Sequence, residues 1–447
     1  MNSRRAAWAV LEGLGQTPRR LEKLLHQELT RHRNSKPSDR ALAVNLVYAV
    51  LRHRLYLDYL LQKFLKQPAD TLDPGILSVL RLGAADLAIL GTPDFAAVHA
   101  AVELAKSTPA RRAQGLVNGV LRAFARGWGR VSLPSREQDP VEHLAIKHSH
   151  PAWIVQELSS RLGPDETEAW LEADQNQPPL SLRVNTLKAG KEQVRALLAP
   201  AAVKISDHPL SPETLVLEGV QGPARDLPGF EQGLWQAQDP GASALSRLLG
   251  VAEGMRVLDL CAGIGGKTGH LAALMGGQGH LSAVEISPGR VRSLKRNLAR
   301  LGADKVEVIQ ADGANLSPDM GLFERVLVDA PCTALGTMGR RPDVRWRRLP
   351  QDAQRLAQVQ TSLLTRAAKL LAPGGALLYC TCTICEAENE QVVRALLAVT
   401  PGLRLEWDQA AAPQAMAAVG EDGFFRTLPH RHHCDAFFAA RFVLRPV

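Results

Sequence analysis

Two segments carry cysteine where a thiol could do covalent chemistry: Asp329-Ala330-Pro331-Cys332 and Tyr379-Cys380-Thr381-Cys382-Thr383. A thiol attacks only as the thiolate, which needs an electropositive and partly accessible setting. A neighbouring carboxyl group such as Asp329 can hold or protonate one edge of a substrate ring. A third segment, Asp259-Leu260-Cys261-Ala262-Gly263-Ile264-Gly265-Gly266-Lys267-Thr268, sets three glycines in four positions. Such a turn lets the backbone approach a ligand closely at a helix N-terminus. It matches neither the dinucleotide fingerprint nor the phosphate loop, because Ala262 stands where the latter needs glycine.

These segments follow short apolar runs that read as strands, and two more such runs end in acids. Glu285 closes the run at 280–286, and Asp312 closes the run at 306–311. Each acid could merely cap the turn that follows it. With Asp329 they put an acid at the end of three successive strands, where carboxylates accept hydrogen bonds from ribose hydroxyls. Together with the glycine turn they describe a cleft for adenosine with a charged tail, such as S-adenosyl-L-methionine. The paired cysteines then suggest methylation at C5 of cytosine. C5 is too weak a nucleophile alone, and a thiolate added at C6 makes it enamine-like. The residues by themselves leave open which cysteine attacks. Cys380, Cys382 and Cys385 with Cys434, His432 or His433 could also bind zinc, but structural zinc sites separate paired cysteines by at least two residues. The expectation is therefore no metal, with Cys380 and Cys261 as small buried apolar groups.

The elements that must position these groups fall into three regions. Up to about residue 130 the pattern is helical: 76, 77, 80, 84, 87 and 90 recur at spacings of three and four, with Pro74 before and Gly91 after. Residues 41–51, 55–65, 96–107 and 112–125 repeat the pattern, so 1–130 is expected to be an all-α bundle. Gly127 to Gln138 reads as a linker. Residues 141–235 mix helices at 151–161 and 165–174 with a strand at 180–184, a small α/β module. From 236 to 447 strands at 257–260, 280–286, 306–311, 325–329 and 376–381 alternate with helices near 267–275, 288–301 and 351–371. That alternation predicts a Rossmann-like α/β domain, its doubly wound sheet mostly parallel, with ligands at the carboxyl ends of the strands.

Composition agrees with a folded, soluble protein: of 447 residues, 45% are hydrophobic and 22% charged. No apolar run is long enough to span a bilayer. The first residues lack a signal-peptide pattern, and six cysteines are too few for a disulfide scaffold, so a reduced cytoplasmic setting is expected. The net charge of +8 is concentrated: residues 1–66 hold 13 Lys and Arg against 5 Asp and Glu, while the other 381 balance at 40 against 40. A basic end of this kind suits a polyanion. Arg340, Arg341, Arg345, Arg347 and Arg348 surround Trp346 with Asp343 as the one acid among them, a pattern that fits clamping and stacking on single-stranded RNA.

At these motifs the sequence resembles the RNA cytosine-C5 methyltransferases of the NOL1/NOP2/Sun family. The 258–268 loop resembles the family's LDLCAAPGGKT, 329–336 its DAPCSGxG, 381–383 its TCS, 388–390 its ENE and 435–442 its DGFFxARL. The resemblance implies that Cys382 is the attacking thiolate and that Cys332 assists release. It also implies S-adenosyl-L-methionine contacts from Cys261, Ala262, Gly263, Ile264, Gly265, Gly266, Lys267, Glu285, Asp312 and Asp329. Ser38-Asp39-Arg40 onward and Val117-Asn118-Gly119-Val120-Leu121-Arg122 resemble a NusB-type RNA-binding domain, and that combination implies small-subunit ribosomal RNA as the substrate. No stable protein partner is implied, and a monomer is expected. Departures are Gly263 and Ile264 in the loop, Glu285 for a commoner Asp, and Ala436 for a Gly. The rivals are the same chemistry on transfer RNA and a non-catalytic RNA-binding assembly factor.

Overall fold

The computed structural model describes residues 3–17, 20–32, 34–220 and 222–445. Arg19 and Arg33 of the basic N-terminal segment lie outside the described residues. The chain divides into two compact units, residues 1–176 with 341–347, and residues 177–340 with 348–447.

The first unit is all helical, as expected: α1 (Ser3–Gln16), α2 (Leu21–Arg31), α3 (Pro37–Gln62), α4 (Pro74–Ala88), α5 (Asp94–Lys106), α6 (Gln114–Gly127), α7 (Pro140–Lys147), α8 (Ala152–Leu162) and α9 (Pro164–Ala173). In α4 the Asp73 carboxylate accepts from the Gly75 and Ile76 amides, and Pro74 sits in the first turn where no donor is needed. Leu77, Leu80, Ala84 and Leu87 are buried as their spacing predicts. Val79 and Leu82 are buried as well, so α4 is the central helix of the bundle rather than an amphipathic surface helix. Leu90 falls beyond its end and is exposed.

The helical stretches expected at 41–51 and 55–65 both lie within α3, and the gap between them is where it kinks: His53 leaves helical geometry (φ −113°, ψ 20°), so two helices meet there. The stretch expected as a linker, Gly127 to Gln138, runs from the end of α6 through a short 3₁₀ turn at Trp128–Arg130 and a loop to α7. The helices α7 to α9, expected in the middle module 141–235, pack within the first compact unit, which extends to Asn176. The Leu55 amide donates to Ser149 Oγ (2.8 Å), and Tyr59 donates to the Ser132 carbonyl (2.8 Å).

The second unit holds two sheets. The smaller is antiparallel, in the order β2 (Lys204–His208), β3 (Ser211–Glu218), β1 (Leu180–Val184), β4 (Trp235–Ala237), and it packs with α10 (Lys191–Leu198) over Leu182, Val184, Val194, Leu215 and Trp235. The larger contains β5 (Arg256–Asp259), β6 (His280–Val284), β7 (Glu307–Ile309), β8 (Phe323–Asp329), β9 (Leu371–Thr381), β10 (Leu403–Leu405), β11 (Phe425–Arg426) and β12 (Phe438–Leu444). Its order is β10-β12-β9-β8-β5-β6-β7, with β11 beside β12. Strands β5 to β9 are parallel and β12 is antiparallel to its neighbours. Their near-continuous apolar runs match a sheet covered on both faces. The covering and connecting helices are α11 (Pro240–Leu248), α12 (Gly266–Leu274), α13 (Pro288–Leu301), α15 (Pro350–Lys369) and α16 (Glu390–Val399), with a short α17 (Pro429–His432) before β12; the short α14 (Val344–Arg347) belongs to the first unit. The chain winds from β5 to β6 and β7 on one side, then returns through β8 to β9 on the other. The crevice between β5 and β8 is therefore the switch point where such sheets bind ligands.

Candidate active site

The five parallel strands end at the edge that holds that switch point. After β5, Gly265 takes the left-handed conformation (φ 86°) that starts α12, and a Cβ there would stand 2.6 Å from Leu294 Cδ1. Only glycine fits. Around Gly263 and Gly266 the space is open, with nothing within 4 Å of a Cβ position. The turn is anchored below by Asp259, whose carboxylate accepts from Thr268 Oγ1 (2.7 Å) and the Cys261 amide (3.4 Å). Ala262 is buried, Ile264 is exposed, and Cys261 is half-buried rather than enclosed.

Lys267, the first-turn lysine of α12, donates to Asp329 Oδ2 at the end of β8 (2.7 Å), and its ammonium lies over the Phe437 ring at 5.5 Å. Burial opposes the Lys267 charge, but Asp329, then the Cys380 and Cys382 sulfurs, more than offset it and its pKa is raised. The lysine is thus a fixed positive charge, paired with Asp329, at the sheet edge that carries the cysteines.

Cys332 follows β8 and Cys382 follows β9, and their sulfurs are 3.4 Å apart. The Cys382 amide also points at Cys332 Sγ (3.4 Å). The hydrogen bond between the two thiols, then burial, raises the Cys332 pKa well above its usual value, so Cys332 stays a neutral thiol. Cys380, one residue before the end of β9, is fully buried against Asp329 Oδ1 (3.4 Å).

A set of polar contacts that sequence reasoning did not find fixes the loop after Cys332. Glu388 accepts from the Thr333 amide (2.9 Å), Thr333 Oγ1 (2.5 Å) and Gln360 Nε2 (3.0 Å), while Gln360 also donates to the Pro331 carbonyl (2.9 Å). Arg348 donates to the Thr333 and Cys332 carbonyls. Asn389 Nδ2 donates to the Thr383 carbonyl (3.1 Å) beyond the second cysteine. Gly336 donates to the Cys382 carbonyl (2.9 Å) and accepts from the Ala436 amide (2.8 Å); a Cβ there would lie 2.1 Å from the Ala436 oxygen. Glu388 and Asn389 were visible only as part of a resemblance, and Gln360 lies on α15 with no local signal.

The other two acids are partly engaged by their own turns. Glu285 is buried and accepts from the Ser287 amide (2.8 Å), with Arg290 3.7 Å away. Asp312 is exposed and accepts from the Ala314 amide (3.1 Å) and Asn315 Nδ2 (2.8 Å). Both retain carboxylate lone pairs for a ligand.

The expected RNA clamp needs correction at Arg345, and the other arginines of the segment are held by partners within their own unit. Arg340 braces Asp239 (3.1 Å) and Asp435 (3.4 Å) in the second unit, and Arg348 holds the Cys332 loop. Arg341 to Arg347 belong to the first unit, where Arg341 faces Glu22 and Arg347 faces Asp343. Arg345 is fully buried and donates to the Ser149 and Asp174 carbonyls, so no phosphate can reach it. Trp346 packs against the bundle core and donates to the Leu51 carbonyl (2.7 Å) beneath Arg54. Contiguity in sequence concealed this, because the segment's arginines are spent on carboxylates and backbone carbonyls. Among the described residues, no group of three or more His, Cys, Asp or Glu could hold a metal, and no helix is long and apolar enough to cross a membrane.

Burial, opposed by the Thr268 hydrogen bond, pushes Asp259 up to about 6. Because this lies above its unfolded value, its stabilising contribution is complete below about pH 4 and is lost as pH rises through about 6. The stability of Asp259→Asn relative to the wild type should therefore improve by about 2–3 kcal/mol between about pH 4 and about pH 7. Urea titrations across that range measure it. A difference independent of pH would mean that Asp259 is ionised throughout.

A glycine turn, acids at strand ends and paired thiols thus gather on a doubly wound sheet, in a chain that also carries a helical bundle. Comparison with family models places residues 1–126 in the NusB family, 150–222 in the ferredoxin-like domain of RsmF/B-like methyltransferases and 246–443 in the 16S rRNA methyltransferase RsmB/F family. A Synechocystis protein described as a probable ribosomal RNA small subunit methyltransferase B is 32% identical, covering 98% of this chain and 99% of its own. A Klebsiella pneumoniae ribosomal RNA small subunit methyltransferase B is 34% identical, covering 91% and 90%. The crystal structure of PH0851 matches with a TM-score of 0.80 at 26% identity over 98% of each chain. The chain belongs to the family of ribosomal RNA small subunit methyltransferases of the RsmB/F type.

Proposed function

We propose that this protein methylates C5 of a specific cytosine in small-subunit ribosomal RNA, with S-adenosyl-L-methionine as methyl donor. The observation that carries the reading is the pair of sulfurs 3.4 Å apart beside the Lys267–Asp329 ion pair. The glycine turn from Cys261 to Lys267, with Glu285, Asp312 and Asp329, would hold the donor: the open space at Gly263 and Gly266 admits a ligand against the backbone, and the carboxylates suit ribose hydroxyls and an ammonium. When bound, the donor supplies an electrophilic methyl group.

The chain's own residues do the rest. The Cys382 thiolate adds to C6 of the cytosine and pushes electrons to C5. Asp329 accepts hydrogen bonds from the N4 amino edge and holds the ring in place. Once C5 carries the methyl group, a base removes the C5 proton, the C5–C6 double bond re-forms and the bond to Cys382 breaks. Cys332, kept neutral, donates its S–H to the departing sulfur. The target base must leave its stack to reach the thiolate. Incubating the full chain with labelled donor and small-subunit ribosomal RNA, then analysing nucleosides by mass spectrometry, tests this. Label in 5-methylcytosine is expected. Label in transfer RNA alone would move the substrate, and no donor binding would leave only a non-catalytic RNA-binding role.

A further inference from the structure

One face of the first unit carries chemistry that the active site does not use. On α5, Phe95 has 82% of its surface exposed. Its ring lies parallel to that of His99, one helical turn on, with centroids 6.1 Å apart and 6° between planes. On the adjacent α6, Asn118, Arg122 and Arg126 recur every four residues and so share a helix face. The aromatic pair and this polar stripe line one shallow depression of about 280 Å³, with Asp94 as its one acid. Arg122 and Arg126 are exposed and form no ion pair among the described residues. The surrounding charge is one-sided: from Ser107 to Arg130 the chain has five arginines and no acid.

An exposed ring flanked by unpaired guanidinium groups is how proteins grip unstacked bases, since every base has a π-face and every link a phosphate. A duplex offers no free base to the ring. We propose that this face is an RNA contact built wholly from the helical unit. It takes a single-stranded flank of the substrate, with a base on the free side of Phe95 and phosphates on Arg122 and Arg126. The inference rests on the reading above that the protein acts on RNA.

Titrating the full-length chain against a short fluorescent oligouridylate tests it, because this probe needs no target cytosine. Phe95→Ala should weaken binding by about 5- to 100-fold without changing the salt dependence, and Phe95→Trp should restore it. The double variant Arg122→Glu/Arg126→Glu should lower the slope of log affinity against log salt by about 1.4, two single-strand phosphate contacts. All three variants should melt like the wild type, since the side chains are exposed. Wild-type oligouridylate affinity in Phe95→Ala, with normal methyl transfer to ribosomal RNA, overturns the RNA contact and leaves the proposed activity standing. Unchanged RNA affinity with altered sedimentation would make the face a protein contact and likewise overturn it. Failure of the activity is separate: the wild type would transfer no methyl group while still binding oligouridylate through Phe95.

Discussion

With Cys332 replaced by alanine, donor and small-subunit ribosomal RNA are expected to give a protein–RNA adduct that survives a denaturing gel. The expected order of events explains why. On the proposed route Cys382 forms the bond to C6 as a thiolate, and addition needs nothing from Cys332. Breaking that bond requires sulfur to leave as an anion, and the neutral Cys332 thiol 3.4 Å away is the group that can hydrogen-bond to it. Removing that donor leaves addition intact and slows elimination, so the intermediate accumulates. Cys382→Ala has no nucleophile. Its methyl transfer should fall by on the order of 10³-fold or more, with no adduct, and the double variant should also give none. If Cys382→Ala traps the RNA instead, the two cysteines exchange roles; if neither does, the covalent route is wrong.

The second large effect is expected at Asp329. Asp329→Asn keeps the volume but removes the charge that Lys267 neutralises at 2.7 Å. Methyl transfer should drop by about 10²- to 10⁴-fold, the range for a positioned acid or base. The cost to folding should be only about 1–2 kcal/mol, because Asp329 is one-third exposed and Lys267 can recruit water. Combined with Cys332→Ala, Asp329→Asn should abolish the trapped adduct, since an unheld ring does not accept the thiolate. Donor binding by calorimetry separates this from a simple loss of cofactor. A variant within threefold of wild-type rate that still traps RNA would remove Asp329 from the chemistry.

Much of the frame was legible because its signals are local. The α4 periodicity, the 257–260 and 325–329 strands and the 288–301 helix each follow from apolar spacing and from Pro or Gly at the ends, and the structure places them within a few residues. The glycine turn and the strand-end acids were legible for the same reason: parallel strands are short, continuous and apolar, so whatever follows them stands at the sheet edge. Local signals misled where contact mattered. The arginines of 340–348 read from sequence as one clamp, but Arg345 is buried on backbone carbonyls and Arg340 is held by Asp239 and Asp435.

What the sequence determined by itself is the inventory: a helical bundle, a doubly wound sheet, two thiols and a carboxylate at its edge, and the motifs that resemble the methyltransferase family. Only the tertiary structure decided how these groups work on one another. Cys332 and Cys382 are fifty positions apart, and their sulfurs meet because β8 and β9 are adjacent and parallel with both chain ends at one edge. Lys267 becomes the partner of Asp329 because β5 lies beside β8. Arg345, read from sequence as a phosphate clamp, became a buried strut because backbone carbonyls claimed its donors. Sequence lists charges and nucleophiles, but their burial and partners, which set reactivity, come from strand order and packing.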